Sequence, residues 1–284
     1  MDARSKHYNV VLQFLCAGLF SITSAVSAVQ AQEADALAEI EDSSTIKIDF
    51  VVDAWMPRLR GDTTIGGTAP PDAMASFEDD LGFDQHDFAP HATAHLKQNR
   101  MNLWLSGFTF DDNGRSHLER TIRFDTLLIA PAGSDVRTEI DYSTVAFEIG
   151  YDLSGIRSSD GRSRATVGFL GGIRYIDIGQ RTELVSLPGS PLVERGARDV
   201  AAFAGARFEV EVVEQIVATA RFGVGTTLDS GGDYFQVEAA IRWFPVENVG
   251  VTAGYRLIGM EVEDGDFLVN ARLAGVFLGL SLRF

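Results

Sequence analysis

The sequence predicts an all-β fold, an antiparallel up-and-down transmembrane β-barrel of about ten strands, with eight strands as the alternative. Three observations lead to this prediction. Apolar and polar residues alternate along nearly the whole chain after residue 45, no segment carries a long helical stripe, and the last eleven residues, AGVFLGLSLRF, keep one face apolar to the end. A strand that crosses a bilayer needs about 9–11 residues whose apolar side chains face lipid.

Composition narrows the classes of function. Lys and Arg total 24 against 40 Asp and Glu, which gives a formal net charge of −16. This charge disfavours nucleic acid as a partner, because a phosphate backbone attracts a basic surface. The mean hydropathy of +0.04 suits a barrel with alternating faces and equally suits a soluble protein. The strand pattern therefore carries the prediction of a membrane protein.

Residues 1–31 are predicted to be a secretory signal peptide. Basic residues precede an apolar stretch from Val10 to about Ile22, and small residues follow, with VQA at residues 29–31 as the preferred cleavage site. A membrane anchor is the weaker alternative, since a spanning helix needs about 18 consecutive apolar residues. The single cysteine, Cys16, lies in this segment, so no disulfide is expected in the mature chain. Residues 32–44 are predicted to form a short periplasmic tail.

The barrel is predicted over residues 45–284. Period-two alternation, typical of a strand with one apolar and one polar face, marks each of its segments. An even number of strands returns the C-terminus to the side where the chain started, as single-chain bacterial barrels require. The predicted strands are 45–55, 87–97, 101–111, 139–152, 164–180, 199–212, 216–228, 234–244, 249–262 and 267–284.

The connections between these strands alternate in length. Short connections at residues 98–99, 214 and 245–248 are predicted to be periplasmic turns, and the longer segments 61–86, 113–138 and 181–198 to be extracellular loops. In the first loop, PPDAMASFEDDLG (residues 70–82) predicts a short capped helix with Met74, Phe77 and Leu81 on one face. We expect it to be a lid packed on the barrel rim, with a gate or a partner-binding helix as alternatives.

Charged residues keep to one face of the predicted strands, which in a closed barrel is the lumen. A barrel of eight to ten strands is narrow enough for side chains to fill it, and buried charges must then be paired or hydrated. We expect a lumen filled by a salt-bridge network; the alternative is a thin aqueous pathway lined by the same residues. These residues are Lys47, Asp49, Asp53, His91, His95, Lys97, Glu148, Arg174, Arg207, Glu209, Arg221, Glu238, Arg242 and Arg256.

The two lumen histidines are the candidates for chemistry. His91 and His95 are four residues apart, so about 13 Å separates them at a rise of about 3.3 Å per residue, and they are not expected to share a metal ion. Either could act as a general base beside Asp53 or Asp87, but a nucleophile or an activated water must be held next to the base. The sequence carries no such signature. It predicts a protein that is not an enzyme and has no cofactor, with a hydrolase or acyltransferase as the alternative.

Four short segments, WMPRLRGD (55–62), DLGF (80–83), GGIRYID (171–177) and GYR (254–256), together with the final strand, carry a family resemblance. The chain resembles small bacterial outer-membrane β-barrel proteins, the outer-membrane-protein-A-like superfamily, over residues 45–284. The resemblance implies an outer-membrane location and a terminal aromatic residue, Phe284, that serves as the assembly signal. It implies no catalytic residues. Ile176, where the family has Trp, and the long segment 115–136 depart from the pattern.

These observations together predict an integral outer-membrane protein with a structural, adhesive or limited-permeability role. The alternatives are an outer-membrane enzyme and a small-solute pore. Outer-membrane lipids are the expected partners, joined during biogenesis by the barrel assembly machinery. We expect the chain to be a monomer.

Overall fold

The structure is a computed structural model that describes residues 46–65, 74–83, 86–123, 129–158, 163–185, 192–213, 215–265 and 267–284. The predicted signal peptide and periplasmic tail lie outside the described residues. Among the residues that are described, no helix is long and apolar enough to span a membrane.

Ten long strands and three short ones make up the fold. In chain order they are β1 Ile46–Ile65, β2 Ala75–Ser76, β3 Ala89–Gln98, β4 Met101–His117, β5 Ile122–Arg123, β6 Ile129–Ala130, β7 Asp135–Arg157, β8 Arg164–Leu184, β9 Leu192–Val213, β10 Ile216–Thr227, β11 Asp233–Val246, β12 Val249–Asp264 and β13 Phe267–Arg283. The three short strands β2, β5 and β6 lie in the connections between the long ones, and the other ten form the barrel.

The ten long strands close on themselves. Each pairs antiparallel with its neighbours along the chain, and β13 pairs with β1 from Asp49 opposite Arg283 to Ile65 opposite Phe267. Closure gives every long strand a partner on both sides, which is the condition for a sheet to cross a bilayer. The prediction of ten strands is confirmed, and the alternative of eight is excluded.

The barrel divides along its axis into two halves of opposite character, which β13 illustrates. In the half that holds Ile46 and Phe284, which we call the terminal half, Val276, Leu278 and Leu280 point outward and are 53–61% exposed. In the other half, the loop half, the inward residues Phe267 and Val269 are buried and apolar, while the outward residues include Asn270 and Arg272. The terminal half thus has the apolar exterior of a membrane-spanning barrel, and the loop half has the apolar core of a protein in water.

The barrel strands differ from the predicted ones in length. The strands reach further into the loop half than predicted, so that β7 has 23 residues and β9 has 22. Near Leu273 the apolar face of β13 changes from inward to outward. The pairing of β13 with β12 and β1 continues through Leu273 without a register shift, so the strand is regular and leaves the apolar band there.

Aromatic residues border the apolar band of the terminal half. Four of them, Tyr151, Tyr175, Trp243 and Tyr255, point outward and are 42–51% exposed. Outward aromatic rings at this height are typical of the interface between lipid and water. Phe244, next to Trp243, instead points inward, is 3% exposed and has the Arg283 guanidinium 4.0 Å above its ring.

The predicted helix of the first loop is wrong for the residues that the structure describes there, 74–83. Ala75 and Ser76 pair with β1 as the short strand β2, and a single turn follows in which the N–H groups of Asp80 and Leu81 both donate to Ser76 O. The pairing of β2 takes up two residues in the middle of the predicted helix, and the segment that remains after them is too short for a stable helix. Phe77 and Leu81 nevertheless share one face and are fully buried.

Candidate functional site

The candidate site is the charged interior of the terminal half, which we call the charge layer. Because side chains of a strand alternate between the two faces, the inward positions of the barrel strands meet in the lumen. The layer consists of the carboxylates Asp49, Asp53, Glu148, Asp152, Glu209 and Glu238, the cations Lys97, Arg174, Arg207, Arg221, Arg242 and Arg256, and the imidazoles His91 and His95.

Arg256 is the centre of the part of the charge layer that lies nearest the loop half. Its Nε donates to Glu238 Oε2 at 2.8 Å, and its Nη1 and Nη2 lie 3.3 and 3.4 Å from the two oxygens of Asp53. The guanidinium also lies 4.5 Å from the ring centroid of Phe277 and 5.3 Å from that of Trp55. Two carboxylates and two aromatic faces thus compensate this buried cation.

Arg207 is the centre of the part of the charge layer that lies nearest the rim of the terminal half. Its Nη1 donates to Asp152 Oδ1 at 2.7 Å and its Nη2 to Glu209 Oε2 at 2.6 Å, while Lys97 Nζ lies 2.9 Å from Asp152 Oδ2. The Trp104 ring packs between Arg207 and His95. Its centroid lies 5.2 Å from the Arg207 guanidinium and 4.8 Å from the His95 ring, on which it stacks.

Two further arginines join these groups into one layer. Arg221 lies 2.7 Å from Glu238 and 3.6 Å from Glu148, and Arg174 lies 4.0 Å from the same Glu148. The layer holds six carboxylates and six Lys or Arg cations, so its formal charge is balanced before the histidines are counted. Arg283, at the rim of the terminal half, adds a second guanidinium contact to Asp49, at 3.1 Å, beside that of Arg242. Burial of so many charges is tolerated because each has a partner of opposite sign.

The positions of the predicted lumen residues can now be stated. All of them except Lys47 lie in the charge layer; Lys47 has the same inward parity but sits exposed at the rim. Three residues were not predicted: Asp152, which belongs to the charge layer, and Trp104 and Arg283, which contact it. Asp152 lies four residues after Glu148 on the same face of β7, so the period-two rule could have found it.

Little free space is left between these side chains. One lumen cavity, lined among others by Asp49, His95 and Arg242, has a volume of about 50 Å³, and a second, beside Glu148 and Gln236, has about 20 Å³. A cavity that admits one water-sized probe already measures about 10–15 Å³. The cavities therefore hold a few waters, and neither could hold a sugar or a peptide.

The histidines have separate partners. His91 Nδ1 donates to Asp53 Oδ2 at 2.7 Å, and Thr93 Oγ1 lies 3.5 Å from His91 Nε2. His95 Nε2 donates to Asn102 Oδ1 at 3.0 Å. The described residues contain no group of three or more His, Cys, Asp or Glu side chains that could hold a metal ion. The hydroxyl, imidazole and carboxylate of Thr93, His91 and Asp53 stand in the order of a nucleophilic triad, but they face a cavity with no space for a substrate.

An apolar layer covers the charge layer on the side of the loop half. Trp55, Phe108 and Tyr142 lie next to the charges, and their rings contact one another, with centroids 4.9 Å apart for Trp55 and Phe108 and 5.2 Å for Phe108 and Tyr142. Above them, Phe77 and Leu81 of the first loop fill the mouth of the barrel. The lumen is thus filled twice, first by ion pairs and then by apolar side chains.

The first loop is held over the mouth by a latch formed by Asp80 and Arg120. Arg120 Nη2 donates to Asp80 Oδ2 at 2.5 Å and to Met74 O at 2.6 Å, and its Nε donates to Asp80 Oδ1 at 3.1 Å. Burial acts to raise the pKa of Asp80, but the hydrogen bonds from Arg120 and from the Ser76 N–H outweigh it and lower the pKa below its ordinary value. The latch therefore stabilises the loop above the pKa of a free aspartate, about 4, and this stabilisation is lost as the pH falls through the lowered pKa.

Arg120→Ala is expected to release the first loop without opening the barrel. Chymotrypsin, which cleaves after Phe77, Leu81 or Phe83, should then cut the folded protein roughly tenfold faster, since cleavage follows local opening when opening is fast. Limited proteolysis followed by mass spectrometry measures this rate. Arg198→Ala, a change of equal charge at an arginine that pairs with Asp177, should leave the rate unchanged. An unaltered rate in Arg120→Ala would show that the apolar contacts alone hold the loop.

The closed ten-stranded sheet, the outward apolar band bordered by aromatic rings and the polar lumen define a bacterial outer-membrane β-barrel protein. In this class the strands are joined by short turns at the periplasmic end and by longer loops outside. The terminal half, with turns such as the one at Asn99, is accordingly the periplasmic and membrane-spanning part, and the loop half projects from the cell.

Solved structures of other outer-membrane barrels are similar to the chain. The outer membrane protease OmpT from Escherichia coli superposes with a TM-score of 0.52 at 10% identity, covering 87% of this chain and 100% of that one. Neisserial surface protein A gives a TM-score of 0.33 at 12% identity, with coverages of 84% and 97%. The translocator domain of the autotransporter NalP from Neisseria meningitidis gives 0.37 at 10% identity, with coverages of 93% and 98%.

The similarity to OmpT supports the fold. The sequence matches no protein-family model, and no curated protein matches it.

Proposed function

We propose that the protein is a closed, non-conducting outer-membrane barrel with a structural or adhesive role, which carries its extracellular strands and loops above the membrane on a rigid base. The single observation that supports this most directly is the filled lumen, in which balanced ion pairs of the charge layer are overlaid by apolar side chains. A solute that crossed the barrel would have to separate both layers, and breaking buried ion pairs costs several kcal/mol each.

The extracellular half fits a presenting role. Its strands β7, β8 and β9 are 21–23 residues long, about twice what a bilayer requires, and their inward side chains form a packed apolar core. A core of this kind keeps the outward polar surface in one conformation, which favours recognition because a binding surface then loses little entropy when it is bound. The polar outer faces of these strands are the surface that we propose for adhesion.

Conductance tests the closed barrel. Protein reconstituted in planar bilayers is expected to show no discrete current steps at a load at which an open porin shows many. Arg120→Ala should be equally silent, because the charge layer closes the lumen independently of the first loop. Steps that appear with wild-type protein would overturn the proposal in favour of the small-solute pore, the second function that the same residues could support.

The proposal includes no catalytic step. His91 is 6% exposed and lines a lumen cavity of only about 20 Å³, which has no space for a peptide or a lipid ester. Purified protein is expected to turn over neither peptide nor lipid A substrates. Turnover that is present in wild type and lost in His91→Ala or His95→Ala would establish the enzyme alternative instead.

The proposal also covers the identity and processing of the chain. We place it near the outer-membrane-protein-A-like barrels on the resemblance of residues 55–62 and 171–177, propose cleavage of residues 1–31 on export, and propose a monomer in contact with outer-membrane lipids. Intact mass of protein purified from envelopes tests the cleavage site, and light scattering of detergent-solubilised protein tests the monomer.

A further inference from the structure

Arg242 is the arginine of the charge layer with the fewest polar contacts. A guanidinium group has five N–H donors, but the one oxygen that Arg242 meets among the described residues is Asp49 Oδ2, 3.5 Å from its Nη1. Asp49 is itself shared, because Arg283 Nε lies 3.1 Å from its Oδ1 and His95 Nδ1 lies 3.4 Å from its Oδ2. The Arg242 side chain is only 13% exposed. Such a guanidinium group is costly to bury unless a further acceptor is bound to it.

Two threonine hydroxyl groups next to Arg242 also need an acceptor. Thr252 is directly opposite Arg242 in the register of β11 and β12, and Thr219 lies diagonal to Arg242 on β10. The hydroxyl groups of Thr252 and Ser281 form one hydrogen bond with each other, and neither side chain has another polar partner in the part of the chain that the structure describes. Two hydroxyl groups carry two protons, so one proton is left over. The Thr219 hydroxyl has no hydrogen-bond partner among the described side chains and backbone groups.

These donors meet at the larger of the two lumen cavities. Arg242, Thr219 and Thr252 all line this cavity of about 50 Å³, whereas Ser281, which is 1% exposed, lies behind Thr252. If Thr252 donated to Ser281, the Ser281 proton would be buried without an acceptor, which is costly. Ser281 therefore donates to Thr252, and Thr252 donates into the cavity. The occupant of the cavity must accept hydrogen bonds, and the volume admits a monatomic ion with one or two waters.

Positive charge is in excess on the inward side chains of the terminal half. The six cations of the charge layer are joined at the rim by Lys47, Arg164 and Arg283, which makes nine, and the six carboxylates are joined by Glu211, which makes seven among the described residues. Glu211 is directly opposite Arg164 in the register of β8 and β9, so it compensates that arginine and not Arg242. A water would accept the hydrogen bonds but leave the charge, whereas an anion satisfies both.

We propose that the larger lumen cavity binds one small inorganic anion of the size of chloride or bromide, held by the guanidinium group of Arg242 and the hydroxyl groups of Thr219 and Thr252. A halide ion accepts hydrogen bonds and donates none, which suits a place where the protein offers donors from three side chains. Hydrogen bonds between charged partners are roughly twice as strong as neutral ones. The bound anion fills the cavity and leaves the lumen closed, so the site is independent of any adhesive role of the loop half.

The test compares unfolding of the mature barrel by urea, in lipid vesicles, in sodium bromide and in sodium gluconate of equal ionic strength. Gluconate is too large for the cavity. An anion that binds only the folded protein lowers the unfolding equilibrium constant, by about tenfold when its concentration is about ten times its Kd. Wild type is expected to show this decrease in bromide, with a saturating dependence on concentration that gives the Kd.

Two variants and a matched control locate the effect. Thr219→Val removes one hydroxyl group without changing charge and should raise the bromide Kd by about fivefold, the effect of one lost hydrogen bond. Arg242→Gln should abolish the difference between the two salts. Thr166→Val, at a buried inward threonine of β8 that does not line the cavity, should keep the wild-type Kd. Anomalous scattering from crystals grown in bromide should show a peak beside Arg242 and Thr219.

Three outcomes would overturn the proposal. Equal stability of wild type in bromide and gluconate would show that the cavity holds only water. An unchanged bromide Kd in Thr219→Val and Arg242→Gln would place the ion elsewhere on the protein. A Kd raised as much by Thr166→Val as by Thr219→Val would show a general loosening of the barrel. Heat-modifiable gel migration shows whether each variant is folded, and Thr219→Val, which keeps every charge, decides the matter if Arg242→Gln does not fold.

Discussion

Replacing Arg256 with alanine is expected to destabilise the barrel by about 3–5 kcal/mol, the cost of removing one partner from a buried ion pair. The change leaves Asp53 and Glu238 without their shared cation at positions that are buried or half-buried. It also leaves a space beside the rings of Trp55 and Phe277. Urea titration of the refolded protein in lipid vesicles, followed by tryptophan fluorescence, measures the loss.

Two controls define what this result means. Arg198→Ala removes an arginine that pairs with Asp177 but is 74% exposed, and it should cost no more than about 1 kcal/mol. Arg256→Lys keeps the charge but loses the planar contact with both carboxylates, so it should be intermediate. A cost for Arg256→Ala that is as small as that of Arg198→Ala would show that water enters the lumen freely and that the charge layer is not closed.

Phe284→Asp is expected to reduce the amount of barrel in the outer membrane severely, while leaving a barrel that is stable once folded. The side chain of Phe284 is 67% exposed and meets Phe50 edge-on at 6.2 Å, so it contributes little packing. Its backbone N–H donates to Ile48 O and its C=O accepts from Ile48 N–H, and both bonds survive the change. A large effect in cells must then come from recognition during assembly. Quantitative blotting of membrane fractions measures it.

The comparison in vitro separates assembly from stability. Refolding of Phe284→Asp into detergent should yield heat-modifiable protein in nearly the wild-type amount, since charges near the bilayer interface cost only about 0–1 kcal/mol. Val246→Asp, at another outward position of the terminal half that is 59% exposed, serves as the control and should accumulate normally in cells. Equal depletion of both variants would point to loss of lipid contact and against an assembly signal.

The strand pattern was sufficient to predict the architecture because a barrel is built from local alternation. Each strand shows its two faces in its own sequence, so strand number and the inward position of residues such as Asp49, Arg207 and Arg256 follow from period two alone. The partners of these residues do not follow. Arg256 meets Asp53 across 203 positions of sequence, and only the closure of β13 on β1 brings them together.

The errors have a common cause in tertiary context. The first loop was predicted to be helical from its capping residues and apolar spacing, but pairing of Ala75 and Ser76 with β1 takes precedence over these local preferences. The strands extend further into the loop half than predicted, as β7 does beyond Tyr142, where the apolar side chains point inward. The strand segments of the loop half show the same alternation as those of the terminal half. The alternation alone does not tell which face contacts water.

The opposite character of the two halves constrains the register of the strands in each half separately. A shift of any strand by one residue would turn its charges toward lipid in one half and, in the same movement, its apolar side chains toward water in the other. Both penalties act on a single rigid ladder, so neither half can adjust alone. The depth of the barrel in the membrane is therefore set by the level at which the outer face of each strand changes from apolar to polar.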